Sequence, residues 1–158
     1  MEVDYLFNIG DNIVYPMHGA GIIKAIEEKE ISGCKQQYCV IKMFIGNMQV
    51  MIPTGKLLSS YIRPVTDIIA LKHIIHIFQH GESDSLIPWK QRYKVNADKI
   101  KTGEIQKCAE VVRDLLRMKE EKALNTSEKK MLGDAHKFLI SELELIKGIT
   151  EKQIESFY

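Results

Sequence analysis

The sequence predicts an α+β chain in which a small β-barrel of the Tudor or SH3 type precedes an all-helical domain of about five helices. Three observations lead there. Residues before Pro64 fall into short β-rich runs separated by turn signals. Beyond Pro64, apolar residues recur at three- and four-residue steps, the period of a helix with one buried face. The chain has 158 residues, enough for two small domains, and the change of period divides it into 1–65 and 66–158.

The strand signals come in order. Asp11 to Tyr15 is a β-rich run ended by Pro16, and Gly19 and Gly21 supply a bend. Ile22, Ile23, Ala25 and Ile26 continue it toward the polar Glu27 to Glu30, and Ser32-Gly33 marks a turn. Lys35 to Ile45 alternates in part, Gly46-Asn47 is a hairpin dipeptide, and Val50-Met51-Ile52 leads to Pro53. Ile62-Arg63 before Pro64 reads as a short closing strand.

The helical half follows. Ile68, Ile69, Leu71, Ile74, Ile75 and Phe78 mark a first helix stopped by Gly81. After the polar GESDS loop, Pro88 suits a first turn, and a second helix runs from about Trp89 to Lys101. Thr102 is the expected cap of a third helix with apolar Ile105, Ala109, Val112 and Leu116. Asn125 with Glu128 resembles a capping box opening a fourth helix, with Met131, Leu132, Ala135, Phe138, Leu139, Leu143 and Ile146 inward and Gly148 as its end. Thr150 with Gln153 repeats the box for a short fifth helix.

Composition excludes several classes. No run approaches the ~20 apolar residues of a membrane span. The acidic MEVDYLF start lacks the basic region of a signal peptide, and Cys34, Cys39 and Cys108 form no CxxC pair. A cytoplasmic protein with free thiols is expected. Phosphate-binding glycine loops, GxSxG elbows and HExxH motifs are absent, so neither a catalytic set nor a cofactor nor a small-molecule substrate is expected. His73, His76 and His80 share one face of the first helix, as metal ligands could, but a polar exposed face accounts for them better.

Net charge is +1. From Trp89 to Lys101, however, Lys90, Arg92, Lys94, Lys99 and Lys101 stand against Asp98 alone. This stripe reads either as a small phosphate footprint or as a solvated helix face. Trp89, beside those bases, reads either as a wedge for the minor groove or as a staple into the helical core. Val50-Met51-Ile52 is apolar at consecutive positions, which fits either an edge strand offered to a partner or a strand covered on both faces.

Taken together, these pieces resemble the CarD/CdnL family of bacterial RNA polymerase-binding transcription regulators. The resemblance rests on Gly10, Asp11, Val14, Tyr15, Pro16, His18, Gly19, Ile31 and Gly33, on the segment WKQRYKVNADKIKTGEIQKCAEVVRDLLR, and on SEKKMLGDAHKFLISEL. It implies a Tudor-like domain over 1–65 that binds the RNA polymerase β subunit by strand addition, with Lys29, Val50, Met51 and Ile52 at the contact. It implies a helical domain over 66–158 that touches promoter DNA at the upstream edge of the melted region, stabilising the open complex. Trp89 falls at the wedge position, Arg92, Lys94 and Lys129 at basic DNA-facing positions, and Lys90 and Lys130 are adjacent bases. Met51 stands where the family carries arginine, and residues 1–6 extend beyond the family's usual start. Transcription-repair coupling factors share the N-terminal domain type but also carry helicase motifs, which this sequence lacks. A polymerase-binding adaptor without DNA contact is the alternative expectation.

Overall fold

The computed structural model describes residues 7–83 and 87–158, and of Trp89 the backbone alone. The chain divides into two compact units, 1–65 and 66–158. Residues 1–6, the sequence extension noted above, lie outside the described residues.

The first unit is a five-stranded antiparallel sheet with spatial order β4-β3-β2-β1-β5. Its strands are β1 (Asn12–Tyr15), β2 (Gly19–Ile31), β3 (Cys34–Met43), β4 (Gln49–Pro53) and β5 (Arg63–Pro64). Alternation sends Ile13, Ile23, Cys39, Ile41, Met43 and Ile52 to one face, where Phe7, Leu57 and Ile62 complete the core. The register between β2 and β3 shifts between Ile23 and Ala25. A bulge of this kind keeps Ile23 on the core face while bending the strand. Gly21 lies within β2 rather than in a bend, and a β-carbon there would meet the Lys42 carbonyl oxygen at 2.8 Å. Only glycine permits that close pairing of β2 and β3. Beyond the reach of β1 and β4, Glu28–Ile31 and Cys34–Gln37 extend as a two-stranded ribbon with exposed side chains.

Five helices follow among the described residues: α1 (Ile68–His80), α2 (Trp89–Lys101), α3 (Ile105–Glu121), α4 (Thr126–Leu143) and α5 (Glu151–Glu155). Asp67 caps α1 by accepting from Ala70 N–H at 2.8 Å. The α3 stripe is wider than the four apolar positions predict. Cys108, Val111 and Leu115 are buried as well, whereas Leu116 is half-buried.

Two helix boundaries differ from expectation. Thr102 does not cap α3 directly; it is the C-cap of α2, and its hydroxyl donates to the Lys99 carbonyl at 2.7 Å while accepting from Glu104 N–H at 3.2 Å. Thr102 thus closes one helix, and Glu104 opens the next. Helix α4 ends at Leu143, before Gly148, because the chain leaves helical geometry in consecutive turns that still bury Ile146. The box at Thr150 and Gln153 is complete, with both reciprocal bonds formed.

Buried polar groups brace this unit. Glu142 accepts from both the backbone N–H and the hydroxyl of Thr66, at 2.9 and 2.8 Å, tying the start of the unit to α4. The Arg113 guanidinium pairs with Asp114 at 2.9 Å and donates to the carbonyls of Ile77 and Glu82 at the α1 C-terminus, each at 3.3 Å. A cation at that end satisfies carbonyls left open by the helix.

Candidate nucleic-acid and protein interfaces

Strand β4 is an edge, and its hydrogen-bond phase can be read from its first contact. Met43 N–H donates to the Met48 carbonyl at 2.8 Å, continuing the register in which Ile41 pairs Val50, Val40 pairs Met51 and Cys39 pairs Ile52. Antiparallel pairs alternate between hydrogen-bonded and non-hydrogen-bonded. The backbone groups of Val50 and Ile52 therefore face β3, whereas the N–H and C=O of Met51 face the open edge. The side chains alternate in the other sense. Ile52 is buried in the core, Val50 packs against it, and Met51 is 40% exposed on the opposite face. The three consecutive apolar residues thus divide into two that hold the sheet and one that is presented outward.

Lys29 lies on β2, opposite Gln36, and its ammonium is 3.7 Å from the Glu27 carboxylate. Cross-strand partners point to the same face, so Lys29 shares the face of Met51 through the rows Gln36 and Val40. The two are separated by about 13 Å along the strands and about 10 Å across them, from ordinary strand spacings. They belong to one face without touching.

In the second unit, the N-terminal turns of α2 and α4 meet. Arg92 Nε lies 3.9 Å from Glu128 Oε2, with the side chains 30% and 12% exposed. Asn125 accepts from Glu128 N–H at 2.8 Å, so α4 has its cap. The Glu128 carboxylate, which a reciprocal box would turn back to the Asn125 backbone, faces Arg92 instead. Around this junction Lys90, Lys94, Lys129 and Lys130 are all exposed. Lys94 pairs with Asp98 at 3.3 Å and Lys130 with Asp134 at 2.7 Å, both one turn along their own helices. Asp134 holds the Lys130 ammonium above its ordinary pKa through that hydrogen bond, with a smaller contribution from nearby Tyr93. Trp89 is the first residue of α2, at this same junction; its side chain lies outside the described residues.

Comparison with known proteins follows the same division. Residues 7–66 match the CarD-like/TRCF RID domain, and residues 73–158 match the CarD C-terminal domain. The chain belongs to the CarD family. Over 152 residues it is 79% identical to the Bacillus subtilis (strain 168) protein named "Putative transcription factor YdeB", covering 96% of this chain and 99% of that one. Among solved structures, the solution NMR structure of the 72-residue N-terminal domain of Myxococcus xanthus CarD is 33% identical, covers 37% of this chain and 77% of that chain, and has a TM-score of 0.32.

Within this CarD chain, the sequence signals collect in two places: the face and edge around β4, and the α2–α4 junction. Two residues there were not among the site residues expected from the sequence. Glu128 looked like a cap partner, and only the tertiary packing turns it toward Arg92. Tyr93 is 46% exposed beside Lys130, although an aromatic at a helical position reads first as core. His73, His76 and His80 are all exposed, and His76 and His80 stack with ring centroids 4.7 Å apart. Among the described residues no group of three potential ligands is placed to hold a metal, and no helix is long and apolar enough to cross a membrane.

Proposed function

We propose that this CarD-family chain is a non-enzymatic, cytoplasmic transcription regulator that docks on the RNA polymerase β subunit and stabilises the open promoter complex. Docking uses β4. A strand of the partner adds alongside Gln49–Pro53, bonded by the outward N–H and C=O of Met51, while Val50 and Ile52 hold the strand to its own sheet. Lys29 contributes a charge on the same face, away from the edge. The observation that carries this reading is the edge placement of β4, which leaves backbone donors and acceptors unused by the protein's own sheet.

The helical unit supplies the promoter contact. Lys90, Arg92 and Lys94 from α2, with Lys129 and Lys130 from α4, flank Trp89 where the two helices meet. The bases neutralise phosphates while the Trp89 ring enters the minor groove at the edge of the melted region. A ligand that binds the open complex better than the closed one shifts the equilibrium toward opening. Tethering to polymerase raises the local concentration of the DNA-contacting unit, so a small basic patch suffices.

A second reading, an adaptor without DNA contact, draws support from one observation: Arg92, Lys94 and Lys130 each already face a carboxylate. Exposed pairs such as Lys94–Asp98 contribute little, about 0.2–1 kcal/mol, so a phosphate can replace Asp98 with little loss. Footprinting of a promoter complex separates the readings. Protection next to the melted region, dependent on Trp89, supports DNA contact; unchanged DNA reactivity with the protein bound to polymerase supports the adaptor.

A further inference from the structure

The last turns of α1 carry a pair of imidazoles that serve neither the core nor the proposed interfaces. His76 and His80 are four residues apart, so they lie on one face of the helix, one turn above the other. Both are exposed, and their rings stand with centroids 4.7 Å apart at an angle of 42°. Neither ring makes a hydrogen bond or an ion pair among the described residues. Two neutral imidazoles so placed can turn two nitrogen lone pairs toward one point.

Such a pair is a chelate for a transition-metal ion. Two histidines at i and i+4 on one helix face are how helical zinc motifs supply two of their ligands. Imidazole suits zinc, copper and nickel, whereas magnesium and calcium prefer oxygen. His80 is the last residue of α1, at the end of the helix that favours a cation, and exposed Glu82 follows two residues later. Arg113 already serves the carbonyls of Ile77 and Glu82, and exposed Lys72 precedes His76 by one turn. The imidazoles, rather than the local field, therefore carry the binding. His73 adds no third ligand, since no group of three is placed to hold a metal among the described residues. A structural zinc site closes with four protein ligands. Two ligands leave the other positions to water and make the ion exchangeable.

We propose that His76 and His80 bind one divalent transition-metal ion, of the class that prefers imidazole, through one ring nitrogen each. The bound ion links two successive turns of α1 and so stabilises the end of that helix. The site is independent of the polymerase and promoter contacts proposed above.

The test uses the full-length protein without a histidine tag, in a Cys34→Ser background so that the exposed thiol does not compete for metal. Nickel chloride is titrated calorimetrically, with magnesium chloride as the control. The proposal expects saturable binding of one nickel ion per chain, no response to magnesium, and a Tm that rises with nickel. His76→Gln and His80→Gln each keep a polar, helix-favouring residue at an exposed position. Each should weaken nickel binding by at least about tenfold, since even the outer-shell partners of metal ligands matter on that scale. Each should also abolish the nickel-dependent rise in Tm, whereas His73→Gln should leave both properties as in the parent. Absence of saturable nickel binding, unchanged affinity in His76→Gln or His80→Gln, or an equal loss in His73→Gln overturns the proposal.

Discussion

Arg92 Nε and Glu128 Oε2 face each other at 3.9 Å across the junction of α2 and α4, and both side chains are largely withdrawn from solvent. The pair joins helices whose nearest residues are separated by the whole of α3. Replacing Glu128 by Gln keeps the volume but leaves Arg92 without its counter-charge. The expected cost is about 1 kcal/mol, a fall in Tm of about 4–8 °C for a domain of this size. Asp98→Asn, which breaks the exposed Lys94 pair, should cost no more than about 0.5 kcal/mol. Thermal melts of the two variants check this ordering; equal losses would mean that the Arg92–Glu128 pair does not brace the junction.

The hydrogen-bond phase of β4 gives adjacent prolines opposite effects. Met51→Pro deletes an N–H that faces the open edge, so the sheet should retain nearly all of its stability while β-subunit binding is lost. Val50→Pro deletes an N–H that bonds to β3 and should destabilise the fold by about 1–3 kcal/mol or more. Met51→Arg, restoring the charge that the family resemblance places there, should bind as well as the wild type or more tightly. Melting curves and pull-down of the β subunit read both properties. A folded Met51→Pro protein that binds normally rules out strand addition at this edge.

Salt dependence measures the phosphate contacts. Three contacts by Arg92, Lys94 and Lys129 give a slope of about −3, at about −0.9 per phosphate. Lys94→Ala and Lys129→Ala should each reduce it by about one unit and weaken all promoters alike. Arg92→Ala should do the same and also lower Tm, because Arg92 has a partner in Glu128. Open-complex stabilisation measured against salt checks this; unchanged slopes in all three variants would leave the bases as a solvated face.

Thiol reactivity tests the burial pattern. Cys34 is exposed, and Cys39 and Cys108 are buried; burial pushes the Cys39 thiol above its ordinary pKa. One thiol per chain should react quickly with an aromatic disulfide reagent at neutral pH, and the other two only on unfolding. Cys34→Ser should remove the fast phase. Two fast phases in the native protein would contradict the assigned core.

The fold was legible because its signals are local. The β-rich run at 11–15, the partial alternation from Lys35, the stops at Pro16, Pro53 and Gly81, and the caps at Asn125 and Thr150 each operate within a few residues. The boundaries that differed involve competition between neighbours: Thr102 serves the helix before it, and the segment after Leu143 remains apolar although it is no longer helical. The candidate sites were legible only as residue types. Whether Val50-Met51-Ile52 sits at an edge depends on strand order, which no local pattern encodes. The Arg92–Glu128 pair depends on how α2 crosses α4, so Glu128 read as a cap partner.

The lifetime of the open promoter complex bears most directly on the proposed role. Polymerase is opened on a promoter, challenged with competitor, and timed with no factor, with the wild-type chain, with Met51→Pro and with Trp89→Ala. As a wedge, Trp89 should be removable with little change in thermal stability, whereas a core staple would cost about 3–5 kcal/mol. The account predicts that the wild type lengthens the lifetime and that both folded variants return it to the factor-free value. A wild-type protein that binds polymerase yet leaves the lifetime unchanged, or a Trp89→Ala variant that lengthens it as the wild type does, contradicts the account.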